Sequence, residues 1–215
     1  MRSSKTPFRL SDSDEPDRLS EIYRVAAQIF CEKGYDATSM NDIADAVGIT
    51  KAGLYHHIPG KQELLFQLMN FGMDMLEREV LIPARAHSDA EQRLLAIISN
   101  HARLITTNSN SQGHNPLTIM NDEVAGLPPA QRRKIDLRKR AYVDLIRDTL
   151  TQLKAEEKLR ELDVTVAAFS MLGMILWLSR WYRPDGRLTP EQVVEEITKI
   201  VLGGLMRPQA RIGRR

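Results

Sequence analysis

Histidine and cysteine are the residue types most able to bind a metal or attack a substrate, and their spacing in this chain favours neither role. Adjacent His56 and His57 would point about 100° apart on a helix, and the other three histidines are scattered along the chain. Cys31 is the only cysteine and lies on an apolar helical stripe, so we expect a buried structural thiol in a reducing cytoplasm. None of the motifs HExxH, GxSxG, GxGxxG, P-loop or CxxC occurs. The sequence therefore predicts no catalytic residue, no metal site and no cofactor.

Residues 39–57 carry a different pattern, which predicts two short helices joined by a tight turn. Ala44 is small enough to let a second helix approach the first, and Gly48, four residues later, tolerates the positive φ of such a turn. Thr50 can cap the second helix, and the positions that should point inward are apolar: Ile43, Val47, Ile49 and Leu54. The first turn of the second helix is then left facing outward, as in a recognition helix that enters the major groove of DNA.

The segment from Gly34 to Leu65 resembles the DNA-binding domain of TetR-family regulators. The resemblance is carried by three stretches, TSMNDIA (38–44), VGITKAGLYHH (47–57) and KQELL (61–65). Ile58-Pro59-Gly60 departs from the family pattern, which usually has Phe, another residue and Ser before the lysine. The resemblance implies a transcriptional regulator that binds double-stranded operator DNA as a homodimer, with repression as the default of the family.

The resemblance also implies roles for individual side chains in that segment. Lys51, Ala52 and Gly53 would meet base edges, because they lie on the exposed first turn. Tyr55 could instead be a packed aromatic residue, and Lys61 could be a solvated surface lysine. Phosphate contacts, which position a protein without selecting sequence, would come from hydroxyl, imidazole and ammonium groups on Thr38, Ser39, Thr50, Tyr55, His56 and Lys61.

Helical periodicity continues through the rest of the chain, and no strand-like alternation with hairpin turns competes with it. We therefore expect an all-α fold, with a three-helix DNA-binding domain followed by a larger helical bundle. The predicted helices after the first three cover about 60–83, 89–106, 128–159, 163–182 and 189–204, and a polar loop covers 107–115. The predicted domains are a disordered arm (1–15), the helix-turn-helix domain (16–66), a ligand-binding and dimerisation domain (67–208) and a basic tail (209–215).

The last two predicted helices suit the dimer interface that the family resemblance implies. Residues 164–182 are apolar nearly all round, which a helix tolerates only when it is covered on all sides. The apolar run 164–178 is shorter than the roughly 18 residues of a membrane span, so we expect no membrane association. Packing of these helices within one subunit alone is the alternative.

A small-molecule effector follows from the resemblance, because the family couples a ligand in the bundle to release of DNA. The segment WYRPDG (181–186) is similar to one in TetR-type repressors of lipid and steroid catabolism that sense acyl-CoA thioesters. Six cations lie within residues 132–140; they predict either a solvated helix face or an anchor for anionic groups. Met and aromatic residues could line an apolar cavity or form plain core. The effector candidates are Met120, Met174, Trp177, Arg180 and Trp181.

Composition leaves two rival functions open. The net charge is only +2, and residues 1–66 hold eight Lys/Arg against ten Asp/Glu. A non-specific architectural DNA-binding protein would need a broadly cationic surface, so this balance disfavours it. A small helical-bundle enzyme is the other alternative, since such bundles can catalyse without familiar motifs. The identity of the effector, the operator sequence and the sign of regulation cannot be read from these residues.

Overall fold

A computed structural model of the chain describes residues 15–109 and 124–208, which fall into two compact units divided between Leu68 and Met69. Within those ranges the ordered elements are helical, without a strand, and one isolated bridge joins Leu159 and Met206. The all-α prediction is therefore confirmed. The predicted arm up to residue 14, most of the predicted polar loop and the predicted tail lie outside the described residues.

The first unit holds short helices packed around a small core. Gly34 adopts a φ of +84° where the first helix ends, and the small unit is built around the buried side chains of Ile22, Ala26 and Ile43. Cys31 is half-buried rather than buried as predicted, because Phe30 takes the inward position one residue earlier. The helices are α1 (Glu15–Lys33), α2 (Met40–Val47), α3 (Lys51–His57) and the beginning of α4 (Lys61–Leu76).

The long helix predicted to run to Pro83 is interrupted. α4 is followed by a π-helical turn, Glu77–Leu81, and then by the short α5, Ile82–Arg85. Pro83 has no N–H to donate, and its ring would clash with the carbonyl four residues before it in a regular α-helix. The wider π turn that precedes the proline avoids this clash, and the N–H of Ile82 bonds to the carbonyl of Glu77.

The second unit is organised around α6, which contacts each of the three long helices that follow it. Aspartate or threonine side chains cap three of these helices: Asp89 accepts a bond from the Gln92 N–H, Asp163 from Val166 and Thr189 from Gln192. These helices are α6 (Ala90–Thr107), α7 (Pro129–Ala155), α8 (Val164–Trp181) and α9 (Pro190–Leu205), and a short 3-10 turn covers Val124–Gly126.

α7 ends at Ala155, four residues before the predicted end. Glu157 takes a positive φ of 56°, and the N–H of Lys158 bonds back to the carbonyl of Leu153 at 2.9 Å. A left-handed residue followed by such a bond satisfies the last carbonyls of a helix and stops it. The prediction extended the helix to Leu159 because the apolar pattern continues to that residue. Leu159 is indeed buried, but it lies beyond the end of the helix.

α8 presents an apolar face that the other described residues leave uncovered. Val166 and Trp177 are about two-thirds exposed, at 65% and 64%, and Phe169 and Trp181 are also exposed. The complete cover expected for α8 is therefore not supplied by the described part of one subunit. By length and composition the 18 residues of α8 could also cross a membrane, although the apolar run 164–178 within it is shorter. One such helix is weak evidence, since helices of soluble proteins meet the same test.

Candidate DNA-binding helices and effector cavity

Ser39 and Asp42 fix the beginning of α2 through a reciprocal capping box. The Asp42 N–H donates to the Ser39 hydroxyl oxygen at 3.2 Å, and the Ser39 N–H donates to the Asp42 carboxylate at 2.8 Å. Hydrogen bonds from the Ser39 side chain and backbone, aided by Lys33, lower the pKa of Asp42 to about 2. The carboxylate therefore stays ionised at the helix N-terminus, where negative charge is favoured.

Gly48 makes the turn between α2 and α3. It adopts φ +74° and ψ +33°, the left-handed conformation that glycine enters at little cost. The following N–H, of Ile49, donates to the carbonyl of Ala44 at 3.0 Å. Ala44 itself is 2% exposed, so its methyl group is buried beside the turn. The predicted small residue and predicted turn residue are both where the pattern requires them.

The first turn of α3 is presented to solvent. Thr50 caps the helix by accepting a bond from the Gly53 N–H at 3.0 Å, and Leu54 anchors the opposite face with no exposed surface. Lys51 and Ala52 are exposed, and the Lys51 ammonium lies 5.9 Å from the centroid of the Tyr55 ring. These residues therefore form one outward surface.

The remaining predicted phosphate contacts do not all share that exposure. Ser39, Tyr55 and His56 are exposed, whereas Thr38 is 2% exposed and its hydroxyl donates to the carbonyl of Gly34 at 2.8 Å. Thr38 thus closes the turn after α1, a role that its hydroxyl chemistry allowed but the pattern did not reveal. We remove it from the candidate contacts.

Lys61 is held at a defined position rather than being a freely moving surface lysine. Its ammonium donates to the carbonyl of Asp36 at 3.1 Å and lies 4.4 Å from the centroid of the Tyr35 ring. Tyr35 was not among the predicted site residues. The proximity of Lys61 to residues 35 and 36 is a long-range contact, so no local pattern could have indicated it.

A cavity of about 380 Å³ lies in the second unit. Its walls come from the end of α4 and from α6, α7 and α8, and most of the lining side chains are apolar. An apolar cleft with a few polar groups is the usual form of a small-molecule site. The lining residues are Met73, Leu76, His101, Leu104, Ile105, Lys139, Tyr142, Val143, Phe169, Leu172, Gly173, Leu176 and Ser179.

Polar groups enter this cavity from three helices. The Tyr142 hydroxyl and His101 Nδ1 are 2.9 Å apart. Burial lowers the pKa of His101 to about 4 and raises the pKa of Tyr142, so both groups are neutral near pH 7. Burial also lowers the pKa of Lys139, while the charge of Asp136 opposes that shift. The Ser179 hydroxyl donates to the Leu176 carbonyl at 2.6 Å.

The predicted effector residues are not the ones that line this cavity. Met174, Trp177, Arg180 and Trp181 are exposed and are not among its lining residues, which on α8 are at positions 169, 172, 173, 176 and 179. Met120 lies outside the described residues. Sequence reasoning missed His101 and Tyr142, which are far apart in the chain and meet only through the packing of α6 on α7.

The run of six cations on α7 is divided among several environments. Arg132, Arg133, Lys134 and Arg140 are exposed, whereas Arg138 donates to the carboxylates of Asp74 at 2.6 Å and Glu77 at 3.2 Å. Neither reading of the run is therefore complete. Most of it is a solvated face, Arg138 ties α7 to the end of α4 within the second unit, and Lys139 lines the cavity.

Among the described residues, no group of three or more His, Cys, Asp and Glu side chains is arranged to hold a metal ion. The adjacent rings of His56 and His57 meet edge to face, with centroids 5.4 Å apart. The geometry of the described part therefore offers a surface for binding and a cavity for a ligand.

Comparison with known protein families decides what these two features belong to. Residues 22–68 match the family described as bacterial regulatory proteins, tetR family, and residues 87–205 match the tetracyclin repressor-like C-terminal domain. The chain belongs to the TetR family. It is a transcriptional regulator of the TetR type, and TetR regulators are DNA-binding proteins rather than enzymes.

Individual TetR-family relatives match over most of their length. The HTH-type transcriptional repressor KstR2 of Mycobacterium tuberculosis H37Rv is 31% identical over 191 residues, covering 87% of this chain and 92% of that protein. The activator FasR of Mycolicibacterium smegmatis is 27% identical over 191 residues, covering 88% of this chain and 83% of FasR. The relatives therefore include both signs of regulation.

Solved structures of TetR-family proteins share this fold. AibR, in a crystal structure with isovaleryl coenzyme A and operator DNA, is 40% identical, with a TM-score of 0.75 over 85% of this chain and 97% of that one. The structure of Mycobacterium tuberculosis KstR2 is 29% identical, with a TM-score of 0.78 over 89% of this chain and 96% of that one.

Proposed function

We propose that this TetR-family chain is a cytoplasmic repressor that binds a palindromic operator as a homodimer and is released from it by an acyl thioester. In this proposal residues 16–66 bind DNA, and residues 67–208 bind the effector and the second subunit. The observation that carries the effector part is the apolar cavity with Lys139, His101 and Tyr142 in its wall. Repression is supported by the relative KstR2, which is a transcriptional repressor.

DNA recognition is assigned to the exposed first turn of α3. Lys51 can donate to guanine O6 and N7, and the small Ala52 and Gly53 permit close approach to the bases. Phosphates would be contacted by the exposed candidates Thr50, Tyr55, Ser39 and His56 and by the half-buried Lys61. The acidic balance of residues 1–66 argues that a few placed cations, rather than a general positive charge, hold the DNA.

Dimerisation is assigned to α8 and α9. The exposed apolar side chains of α8, with Val166, Phe169 and Trp177 each more than half exposed, form a patch that a second copy can cover. Gly203 and Gly204 of α9 are exposed and have open space where a Cβ would lie, which permits close helix approach. A two-fold dimer would present two copies of α3 about 34–36 Å apart, one turn of DNA.

An acyl thioester suits the cavity because it joins an apolar chain to a large anionic group. A second, more polar depression of about 250 Å³ shares Leu104 with the apolar cavity and contains Arg103 and Asn100. The apolar part would accept the acyl chain, while Lys139 and Arg103 would favour the anionic part. AibR, whose structure contains isovaleryl coenzyme A, makes that compound the first probe. In this proposal the effector would reach the exposed candidates on α8 only at the mouth of the cavity or across the dimer interface; these are Met174, Trp177, Arg180 and Trp181.

The effector test uses a duplex that the protein selects from random-sequence DNA, with binding followed by fluorescence anisotropy. We expect isovaleryl-CoA to release the DNA, whereas isovalerate and free CoA leave it bound, because neither combines the apolar and anionic parts. Failure of short, medium and long acyl-CoA thioesters alike to cause release would exclude this effector class. Competition by unrelated DNA at physiological salt separates the repressor from an architectural protein, which would lose its selected duplex to that competitor.

A pair of variants on α7 tests the assignment of Lys139. Lys139→Met removes the charge that lines the cavity, and we expect release to require roughly tenfold more isovaleryl-CoA, the scale of one hydrogen bond to a charged group. Arg140→Met is the matched control, because Arg140 is exposed and does not line the cavity. Equal behaviour of the two variants would remove Lys139 from the effector site.

A further inference from the structure

His101 and Tyr142 form a polar pair within the mainly apolar wall of the cavity. Both side chains are almost fully buried, at 5% and 4% exposure, and their rings meet edge to face with centroids 5.4 Å apart. The bond between the Tyr142 hydroxyl and His101 Nδ1, at 2.9 Å, accounts for one ring nitrogen. No residue of the described ranges bonds to the other nitrogen, Nε2.

Counting donors shows that the bond between His101 and Tyr142 leaves one donor over. A neutral imidazole carries one N–H and a phenol carries one O–H, and the bond between them uses only one of these two donors. If the hydroxyl donates to Nδ1, the Nε2–H remains; if Nδ1–H donates to the phenol oxygen, the hydroxyl proton remains. In either tautomer one donor is left over, and it is not among the fully buried atoms without a partner; it is therefore accessible from the cavity that both residues line, where a ligand oxygen can accept from it.

The other polar side chains that line the cavity make no hydrogen bond to this pair. The Ser179 hydroxyl bonds to the Leu176 carbonyl, and Lys139 carries donors only. Because burial keeps His101 neutral near pH 7, the pair offers no positive charge that would select a carboxylate. What remains is a neutral donor facing apolar surroundings, which suits an uncharged oxygen acceptor.

We infer that His101 and Tyr142 together recognise a carbonyl oxygen on the acyl chain of the effector, and so set the specificity of the cavity for oxygenated over purely hydrocarbon groups. The inference rests on the proposed effector class, acyl thioesters. The oxygen can be that of the thioester itself or that of a keto group further along the chain. Both are neutral acceptors, and a CH₂ or C=CH₂ group in the same place would leave the donor unsatisfied.

Matched ligands, titrated by calorimetry into the full chain, measure this preference. Isovaleryl-CoA is compared with its thioether S-isopentyl-CoA, which lacks the thioester oxygen, and acetoacetyl-CoA is compared with butyryl-CoA, which lacks the keto oxygen. We expect roughly tenfold tighter binding of the oxygenated member in one pair, the scale of one hydrogen bond. The pair that shows the preference identifies the source of the oxygen.

Phenylalanine substitutions then locate the donor. His101→Phe leaves the tyrosine hydroxyl and Tyr142→Phe leaves the imidazole N–H, so each single variant keeps one donor and should retain part of the preference. The double variant keeps the volume but has no donor, and its preference should fall to about one. Because replacing both partners by apolar groups is nearly neutral for stability, the double variant is expected to remain folded. A preference unchanged in the double variant would overturn the assignment.

A CoA-free pair distinguishes failure of this inference from failure of the proposed effector. Methyl isobutyl ketone is compared with its isostere carrying C=CH₂ in place of C=O, and the ¹⁵N shifts of His101 are followed. If no CoA derivative binds but the ketone is preferred and shifts His101, the pair still recognises carbonyls and the thioester effector is wrong. The inference is wrong if the two members bind equally in all three pairs: isovaleryl-CoA and its thioether, acetoacetyl-CoA and butyryl-CoA, and the ketone and its alkene. It is also wrong if no probe binds.

Discussion

Replacing Gly48 with alanine measures how much the left-handed turn between α2 and α3 depends on glycine. Gly48 has a φ of +74°, and a Cβ built there would meet no heavy atom within 4 Å. The substitution therefore adds no clash, and its cost is the backbone strain of a left-handed L-residue, about 1–2 kcal/mol. Gly60 is the matched control, because its Cβ also meets nothing and its φ is outside the left-handed range.

Hydrogen exchange followed by mass spectrometry measures this loss of stability in the segment around the turn. A destabilisation of about 1–2 kcal/mol raises the open population roughly 5- to 30-fold, so protection of amides in residues 40–57 should fall by that factor in Gly48→Ala. Gly60→Ala should leave it unchanged, and Gly48→Asn should recover part of the loss, since asparagine tolerates this conformation. Equal protection in Gly48→Ala and wild type, or an equal loss in Gly60→Ala, would refute the argument about the turn.

The other predictions concern DNA, the dimer and acid stability. Lys61→Ala should weaken binding to all sequences and flatten the log–log salt dependence by about one; an unchanged slope removes Lys61 from the contacts. Lys51→Ala should relax base preference at one operator position, by about 1–3 kcal/mol, and an unaltered preference would contradict that role. Trp177→Glu should give a monomer mass by light scattering, because it places a charge on the exposed face of α8; a dimer mass would exclude that face. His101 should cost stability in acid, because its folded pKa is about 4 and the unfolded chain takes up a proton from about pH 6.5 downward: urea unfolding should show a loss of about 2 kcal/mol from pH 7 to pH 5, and a double His101→Phe/Tyr142→Phe variant that loses as much would refute this.

The features that the sequence predicted well are those with a local physical cause. The cap at Thr50 involves residues three apart, and the turn at Gly48 depends on one residue's backbone freedom. Such signals act within one turn of chain, so they can be read without knowing how helices pack. The small residue at position 44 is a further example, because a second helix can approach the first closely only where the side chain is small.

The features that the sequence could not reveal depend on the direction of side chains in the folded unit. His101 and Tyr142 meet only because α6 packs on α7. Trp177 and Trp181 were chosen for their chemistry, but periodicity alone did not show which face of an almost wholly apolar helix looks toward the cavity. Thr38 is a third case, because a hydroxyl suited to a phosphate is used by a backbone carbonyl instead.

Selection of duplexes from a random-sequence pool tests the central claim most directly, because it asks whether an exposed α3 in a two-fold dimer reads DNA. We expect enrichment of an inverted repeat whose half-sites are centred about one helical turn, or a multiple of it, apart, with the preference at one position in each half-site lost in Lys51→Ala. Failure to enrich any sequence, or enrichment of a site without two-fold symmetry that Lys51→Ala reads equally well, would contradict the account.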